Sequence, residues 1–111
     1  MKFKVLLLAA MFSVSFAAYY VYAYVYADHL IDQKNNKFNK KHLKIKVGDN
    51  VKFRNSDPYA HNVFSLSDAK PFDLGSYPQG QSKKINFDKE GLVEVECSIH
   101  PMMQMTIEVS K

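Results

Sequence analysis

Thiol, imidazole and thioether groups crowd into one short stretch of this chain, Cys97-Ser98-Ile99-His100-Pro101-Met102-Met103-Gln104-Met105. A second imidazole, His61, stands 36 residues upstream of Cys97, at the head of the apolar run His61-Asn62-Val63-Phe64. Two imidazoles and a thiolate, with a weak and long thioether, make a trigonal set that suits copper. Soft sulfur favours Cu(I), and imidazole accommodates Cu(II). Zinc can occupy such a set but brings no redox chemistry. Taken singly, each residue has a plainer reading. A lone buried cysteine is a small hydrophobe, a lone histidine is structural or exposed, and Met105 alternates with Ile107 as a core residue does. The Cys-x2-His-x2-Met spacing together with an upstream His-Asn points to one metal site. Cys97 as a nucleophile paired with His100 would need an open cleft, an oriented base and a third group. No Asn or Asp stands in an obvious third role, so the expectation is a metal-binding protein and not an enzyme.

Short strands must position these groups. From residue 28 onward no helical periodicity exceeds two turns, and period-2 alternation replaces it. Leu43, Ile45 and Val47 alternate with His42, Lys44 and Lys46. Val51 and Phe53 flank Lys52, and Ile85 and Phe87 flank Asn86. Val93, Val95 and Cys97 alternate with Glu94 and Glu96, and Met105, Ile107 and Val109 alternate with polar residues. Turn signals separate the runs: Gly48-Asp49-Asn50, Asp57-Pro58, Tyr77-Pro78-Gln79-Gly80 and Asp88-Lys89-Glu90-Gly91. With two or three weaker strands, the expectation is an all-β antiparallel sandwich or barrel of 7–8 strands. Residues 35–41, polar and basic, read as a long loop. His29 and His42 read as exposed, the latter on a wet face shared with lysines.

The chain has 111 residues, enough for one domain. Hydrophobic residues make up 47% and charged residues 23%, a balance that excludes a disordered chain. Met1-Lys2-Phe3-Lys4 is a positive segment, and no charge follows until Asp28. A signal peptide has this pattern. Ser15-Phe16-Ala17, Val21-Tyr22-Ala23 and Val25-Tyr26-Ala27 are acceptable cleavage sequences. Residues 1–27 therefore read as a signal peptide, with an uncleaved membrane anchor over residues 5–27 as the alternative. The uncharged run is 23 residues long, and a spanning helix needs about 20. Its five tyrosines favour cleavage, because tyrosine belongs at the bilayer interface. In both cases the domain 28–111 is expected outside the cytoplasm, in the periplasm, since positive residues stay inside. Its 84 residues are few for a single core. One cysteine rules out an intrachain disulfide, which leaves a metal as the available staple. The net charge of +4 is local. Residues 34–54 hold eight basic side chains against the single acid Asp49, whereas residues 55–111 hold five basic and eight acidic ones. The basic stretch reads Lys-Ile-Lys-Val, the wet side of a strand, so it suggests protein docking and no nucleic-acid partner.

The segments Asn55-Ser-Asp-Pro-Tyr-Ala-His-Asn-Val-Phe-Ser65, Phe72-Asp-Leu-Gly-Ser-Tyr-Pro-Gln-Gly80 and Gly91-Leu-Val-Glu-Val-Glu-Cys-Ser-Ile-His-Pro-Met-Met103 resemble the small blue copper proteins of the plastocyanin/amicyanin type, the cupredoxins. The similarity spans residues 28–111. It implies a Greek-key β-sandwich with one type 1 copper ion, cycling between Cu(I) and Cu(II), near one end. It implies His61, Cys97 and His100 as equatorial ligands and Met103 as the axial one. Met105 is the alternative, and favours the core because it continues the alternation of Ile107 and Val109. Extra thioethers at Met102 and Met105 depart from the family pattern. Asn62 falls where a hydrogen bond near the thiolate holds the loops together. The His100 edge is the implied electron port, with Phe72, Leu74, Pro101 and Met102 as its apolar rim. The implied function is one-electron transfer by a monomer that meets cytochromes, dehydrogenases or oxidases transiently. Membrane contact would follow only from an uncleaved anchor. The alternative is a periplasmic Cu(I) carrier or resistance protein.

Overall fold

The computed structural model describes the backbone of residues 2–9 and 19–111, and side chains from residue 26 onward. Lys2–Ala9 (β1) and Tyr19–Tyr26 (β2) pair antiparallel in a two-stranded sheet separate from the rest. The cleavage candidate Ser15-Phe16-Ala17 lies outside the described residues. Among the described residues no helix is long and apolar enough to cross a membrane.

From residue 28 the chain forms a Greek-key β-sandwich. Its strands are Asp28–Lys34 (β3), Lys37–Phe38 (β4), His42–Lys46 (β5), Asn50–Asn55 (β6), His61–Ser65 (β7), Phe72–Tyr77 (β8), Ser82–Asn86 (β9), Gly91–Glu96 (β10) and Gln104–Ser110 (β11). Nine strands thus stand among the described residues of this region, the additional one being the two-residue β4. One sheet has the order β5-β11-β10-β7-β8 and the other β4-β3-β6-β9. Most neighbours are antiparallel, but β5 runs parallel to β11 and β3 parallel to β6, so the chain crosses between sheets to reach those positions.

Period-2 alternation sets which residues meet between the sheets. Ile31, Val51 and Phe53 face inward from one sheet, and Val63, Tyr77, Val93, Val95, Ile107 and Val109 from the other, all buried in a single core. Burial of each such side chain contributes roughly 1.5–3 kcal/mol. Aromatic rings run through this core: Phe38 meets Phe53 at 6.2 Å, Phe53 meets Phe72 at 6.3 Å, and Phe72 meets Phe87 at 6.2 Å.

Residues 35–41, expected as a long loop, instead begin as a tight hairpin. Asn35 and Asn36 both adopt positive φ, 55° and 58°, which turns β3 into β4 within two residues. Asparagine tolerates that conformation better than most side chains. Phe38 then drops into the core, which the count of polar neighbours around it concealed. His29, expected on the surface, is half-buried because its Nε2 lies 3.0 Å from the buried Asp49 carboxylate. That carboxylate also accepts from the Ala27 and Lys46 amides, closing the turn before β6. His42 is exposed, as the alternation of β5 predicts.

Candidate metal centre

Cys97 follows directly on β10 and keeps the inward face of Val93 and Val95; it is buried, with 1% exposure. The loop then turns back tightly. The Met103 amide donates to the His100 carbonyl at 2.8 Å, and the Cys97 amide donates to the Met103 carbonyl at 3.2 Å. Pro101 stiffens the turn by fixing its own φ. The Cys97–Met103 bond extends the β10–β11 ladder, in which Glu96 opposes Gln104 and Val95 opposes Met105. Cross-strand partners share a face and stand about 5 Å apart. Met103 therefore shares the inward face with Cys97, while Met105 sits one inward pair deeper, against Val95. Both methionines are buried.

His61 opens β7 and points inward with Val63 and Ser65 by the same alternation. It is fully buried. Its Nδ1 lies 3.8 Å from Cys97 Sγ, and His100 Nδ1 lies 3.9 Å from the same sulfur. These three ligand atoms all fall within 4.8 Å of one another, and they form the one such group among the described residues. Metal–sulfur and metal–nitrogen bonds of about 2.3 and 2.0 Å at 120° would separate sulfur from nitrogen by about 3.7 Å. The donor set is soft sulfur plus two imidazoles, and the spacing matches a single ion. The residues fit copper.

Carboxylate chemistry locks His61. Its Nε2 lies 2.6 Å from Asp57 Oδ2, so that nitrogen carries the proton and leaves the Nδ1 lone pair for the metal. Asp57 is buried and also accepts from the Asn35 and Asn36 amides at 2.7 and 3.1 Å. Burial pushes the Asp57 carboxyl up, but the bonds from His61, Asn36 and Asn35 outweigh it and hold the carboxyl below its ordinary value. Asn55 fixes the start of this loop. Its side chain donates to the Tyr59 and Tyr77 carbonyls and accepts from the Asp57 amide. Tyr77, opposite His61 in the β7–β8 ladder, donates its hydroxyl to the Phe53 carbonyl and accepts from Gln33. Burial, against the Gln33 bond and with the Cys97 charge, raises the Tyr77 phenol to about 12, so it stays protonated.

Asn62 accepts from Ser98 Oγ at 2.9 Å and donates to Asp73 at 3.0 Å. It thereby ties the strand that carries His61 to the residue following Cys97. The rim around His100 differs from the expected one. Phe72 pairs with Ser65, at the end of β7 away from His61, and its ring packs on Phe53 and Phe87. Leu74 is likewise half-buried against the core. Alternation along an edge strand carried both toward the interior. Pro101 and Met102 are exposed, Met102 at 95%. Tyr59 takes the place expected for Phe72. Its ring lies 5.4 Å from the His61 ring and 5.7 Å from that of the half-buried His100. Neither Tyr59 nor Asp57 is predicted as a site residue from sequence, where Asp57 reads only as part of a turn; the spacing Asp57-x3-His61 is the signal that could have found it.

A β-sandwich that gathers two imidazoles and a buried cysteine sulfur at one end defines a mononuclear copper protein of the cupredoxin class. Residues 25–110 match the copper binding proteins of the plastocyanin/azurin family, and the chain belongs to that family. Its cofactor is copper. The chain is 33% identical over 69 residues to the methylamine utilization protein MauL of Methylorubrum extorquens, covering 61% of this chain and 60% of that protein. It is 36% identical over 66 residues to pseudoazurin of the same organism, covering 57% of this chain and 43% of that one. The matches thus span less than two thirds of either relative. A reduced Cu(I) form of an amicyanin variant at pH 4 superposes with a TM-score of 0.69 at 24% identity, over 74% of this chain and 81% of that one. At that identity the likeness establishes the fold.

Proposed function

We propose that the protein is an exported one-electron carrier, with His61, Cys97 and His100 as equatorial copper ligands and Met103 as the axial one. The carrying observation is the spacing of the three donor atoms within 4.8 Å, fixed by two strands and a stiff turn. Bound copper would supply a Cu(II)/Cu(I) couple. The chain's task is to keep the ligands in nearly one arrangement across both oxidation states. His61 is held by Asp57 and by its strand, and Cys97 is held by the ladder to Met103, so little reorganisation opposes the transfer. The half-buried His100, against the exposed Tyr59, Pro101 and Met102, supports electron exit at this end. A thiolate with 1% exposure is out of reach of a substrate, which favours a carrier over a catalyst. The positive N-terminus followed by an uncharged run supports export to the periplasm. Membership in the plastocyanin/azurin family fits a monomer that meets redox partners transiently, such as a cytochrome, dehydrogenase or oxidase. The exposed thioether of Met102 favours a second reading, delivery of Cu(I) to another protein.

A visible spectrum and a voltammogram of the copper-loaded protein test the proposal together. Intense sulfur-to-copper absorption with a reversible couple is expected. A colourless, folded Cu(II) form would overturn the type 1 assignment. Very tight Cu(I) retention, ready hand-over and no reversible couple would favour delivery.

The axial position is tested by paired variants. Met103→Gln is expected to lower the reduction potential and alter the Cu(II) EPR spectrum, because an amide oxygen still ligates weakly but favours Cu(II). Met105→Gln is expected to leave the spectrum intact and to cost about 2 kcal/mol as a buried polar group. The reverse pattern would move the axial role to Met105.

Copper should also raise the melting temperature, since it binds the native site and not the unfolded chain. At a free concentration about 1,000 times the dissociation constant the gain is about 4 kcal/mol. Calorimetry with and without one equivalent of copper reads it, and coincident melts would argue against a preformed site.

A further inference from the structure

We propose that Tyr26 and Ala27 belong to the mature protein as a clamp on the turn at Gly48 and Asp49, and that the leader is removed upstream of them, after Ala17 or Ala23 and not after Ala27. This rests on the export reading above.

Ala27 is tied into the sandwich through both of its backbone polar groups. Its amide donates to Asp49 Oδ1 at 3.0 Å, and its carbonyl accepts from the Asn50 amide at 3.0 Å. The second bond opens the parallel β3–β6 ladder, in which Asp28 opposes Asn50. Asp49 is fully buried. Its other oxygen accepts from the Lys46 amide and lies beside His29 Nε2, both at 3.0 Å. One carboxylate thus joins the chain entering β3 to the turn between β5 and β6. Gly48, with φ of 97°, supplies the left-handed backbone of that turn. The Tyr26 ring covers it so closely that a Cβ on Gly48 would overlap the ring.

A cut after Ala27 would remove the ring and both bonds together. The Asn50 amide would lose its acceptor and the buried Asp49 carboxylate one of its donors, and each loss destabilises the fold.

Two further observations point upstream. The family match begins at residue 25, so Tyr26 and Ala27 lie inside the matched region. The leader is also complete before the tyrosines begin. Residues 5–14 are a ten-residue uncharged core with Ser13 as its one polar side chain, and the small-residue sequence Ser15-Phe16-Ala17 follows. A leader core needs about 7–15 residues. Tyr20, Tyr22, Tyr24 and Tyr26 then keep period 2, the spacing of one strand face and not of an apolar helix. Only Ala27 separates β2, which ends at Tyr26, from β3, which begins at Asp28.

Expression of the full chain in a Gram-negative host tests this, with amino-terminal sequencing and intact mass of the periplasmic product. The mature protein is expected to begin at Ala18 or Tyr24. A start at Asp28 would overturn the proposal and leave export intact. Recovery of the uncleaved 111-residue chain would overturn leader removal, and the proposal with it. Point variants of the full chain supply a second measurement. A large residue at the last leader position blocks processing. Ala27→Leu should therefore be processed like wild type, whereas either Ala17→Leu or Ala23→Leu should accumulate precursor. Precursor accumulating in Ala27→Leu alone would overturn the proposal. Melts of the metal-free mature proteins read the clamp itself. Ala27→Pro removes the amide that Asp49 accepts from and should lower the melting temperature by about 5 °C, whereas Ala27→Leu keeps both backbone groups and should melt near wild type. Coincident melts for Ala27→Pro and wild type would overturn the clamp. The copper spectrum should be the same in every processed variant, because β3 and β6 run from this turn to the Asp57 loop at the other end. A wild type that stays colourless with Cu(II) would overturn the electron-carrier reading and leave the clamp standing.

Discussion

Cys97→Ser is expected to abolish the strong visible absorption of the Cu(II) protein while the sandwich still folds. The absorption requires a thiolate on the metal, and a serine hydroxyl is neither soft nor ionised at neutral pH. Cu(I) affinity should fall further than Cu(II) affinity, because sulfur contributes most to holding the softer ion. The reversible couple should disappear with the colour. In the metal-free protein the cost is about 1–3 kcal/mol, since a hydroxyl replaces sulfur at a site with 1% exposure and would have His61 and His100 as its polar neighbours. Urea melts of the metal-free protein separate this cost from the loss of metal. A variant that stays coloured would remove Cys97 from the metal.

Asp57 is expected to give the largest effect of any residue that does not touch the metal. Asp57→Ala leaves the His61 Nε2–H and the Asn35 and Asn36 amides without their shared acceptor in a buried setting. The expected loss is about 3 kcal/mol or more, as each orphaned donor has its own desolvation penalty. The hairpin that carries Phe38 into the core depends on the same carboxylate, so the loss extends beyond the site. Asp57→Asn is the gentler change. It keeps an acceptor for His61 but removes a buried negative charge near the metal, so the reduction potential should rise, because Cu(II) loses more stabilisation than Cu(I).

The pH dependence has a definite sign. The Asp57 carboxyl is depressed in the folded protein relative to its ordinary 3.8. Its contribution is complete above that ordinary value and is lost as pH falls through the depressed folded value. Metal-free wild type should therefore lose stability below about pH 4, and Asp57→Asn should lose less over the same range. Denaturant midpoints from neutral to strongly acid pH read this slope. Equal acid slopes for the two proteins would mean that the carboxylate is not held by these bonds.

What could be read from the chain alone was local. Cys97 and His100 lie within one short loop that also holds Met103, so spacing alone already brings thiol, imidazole and thioether to one region whatever the rest of the fold does. The alternation of Val93, Val95 and Cys97, and of Met105, Ile107 and Val109, specified inward faces because side-chain direction in a strand has period 2. It also kept Met105 in the core, one inward pair below Cys97. The positive segment and uncharged run of residues 1–27, from which export is expected, are likewise a feature of composition that needs no fold to be seen.

Tertiary structure decided what depends on pairing register and on contact between distant segments. The family resemblance implied Phe72 as a rim residue, but its register against Ser65 carries it to the far end of β7, half-buried against the core. Tyr59 reached the rim instead, held by Asn55 and Asn36 across the hairpin turn. Asp57 acquired its role from three donors, two of which lie 21 and 22 residues away along the chain. Periodicity encodes which face a residue takes. Only the closed sandwich decides which neighbours it meets there.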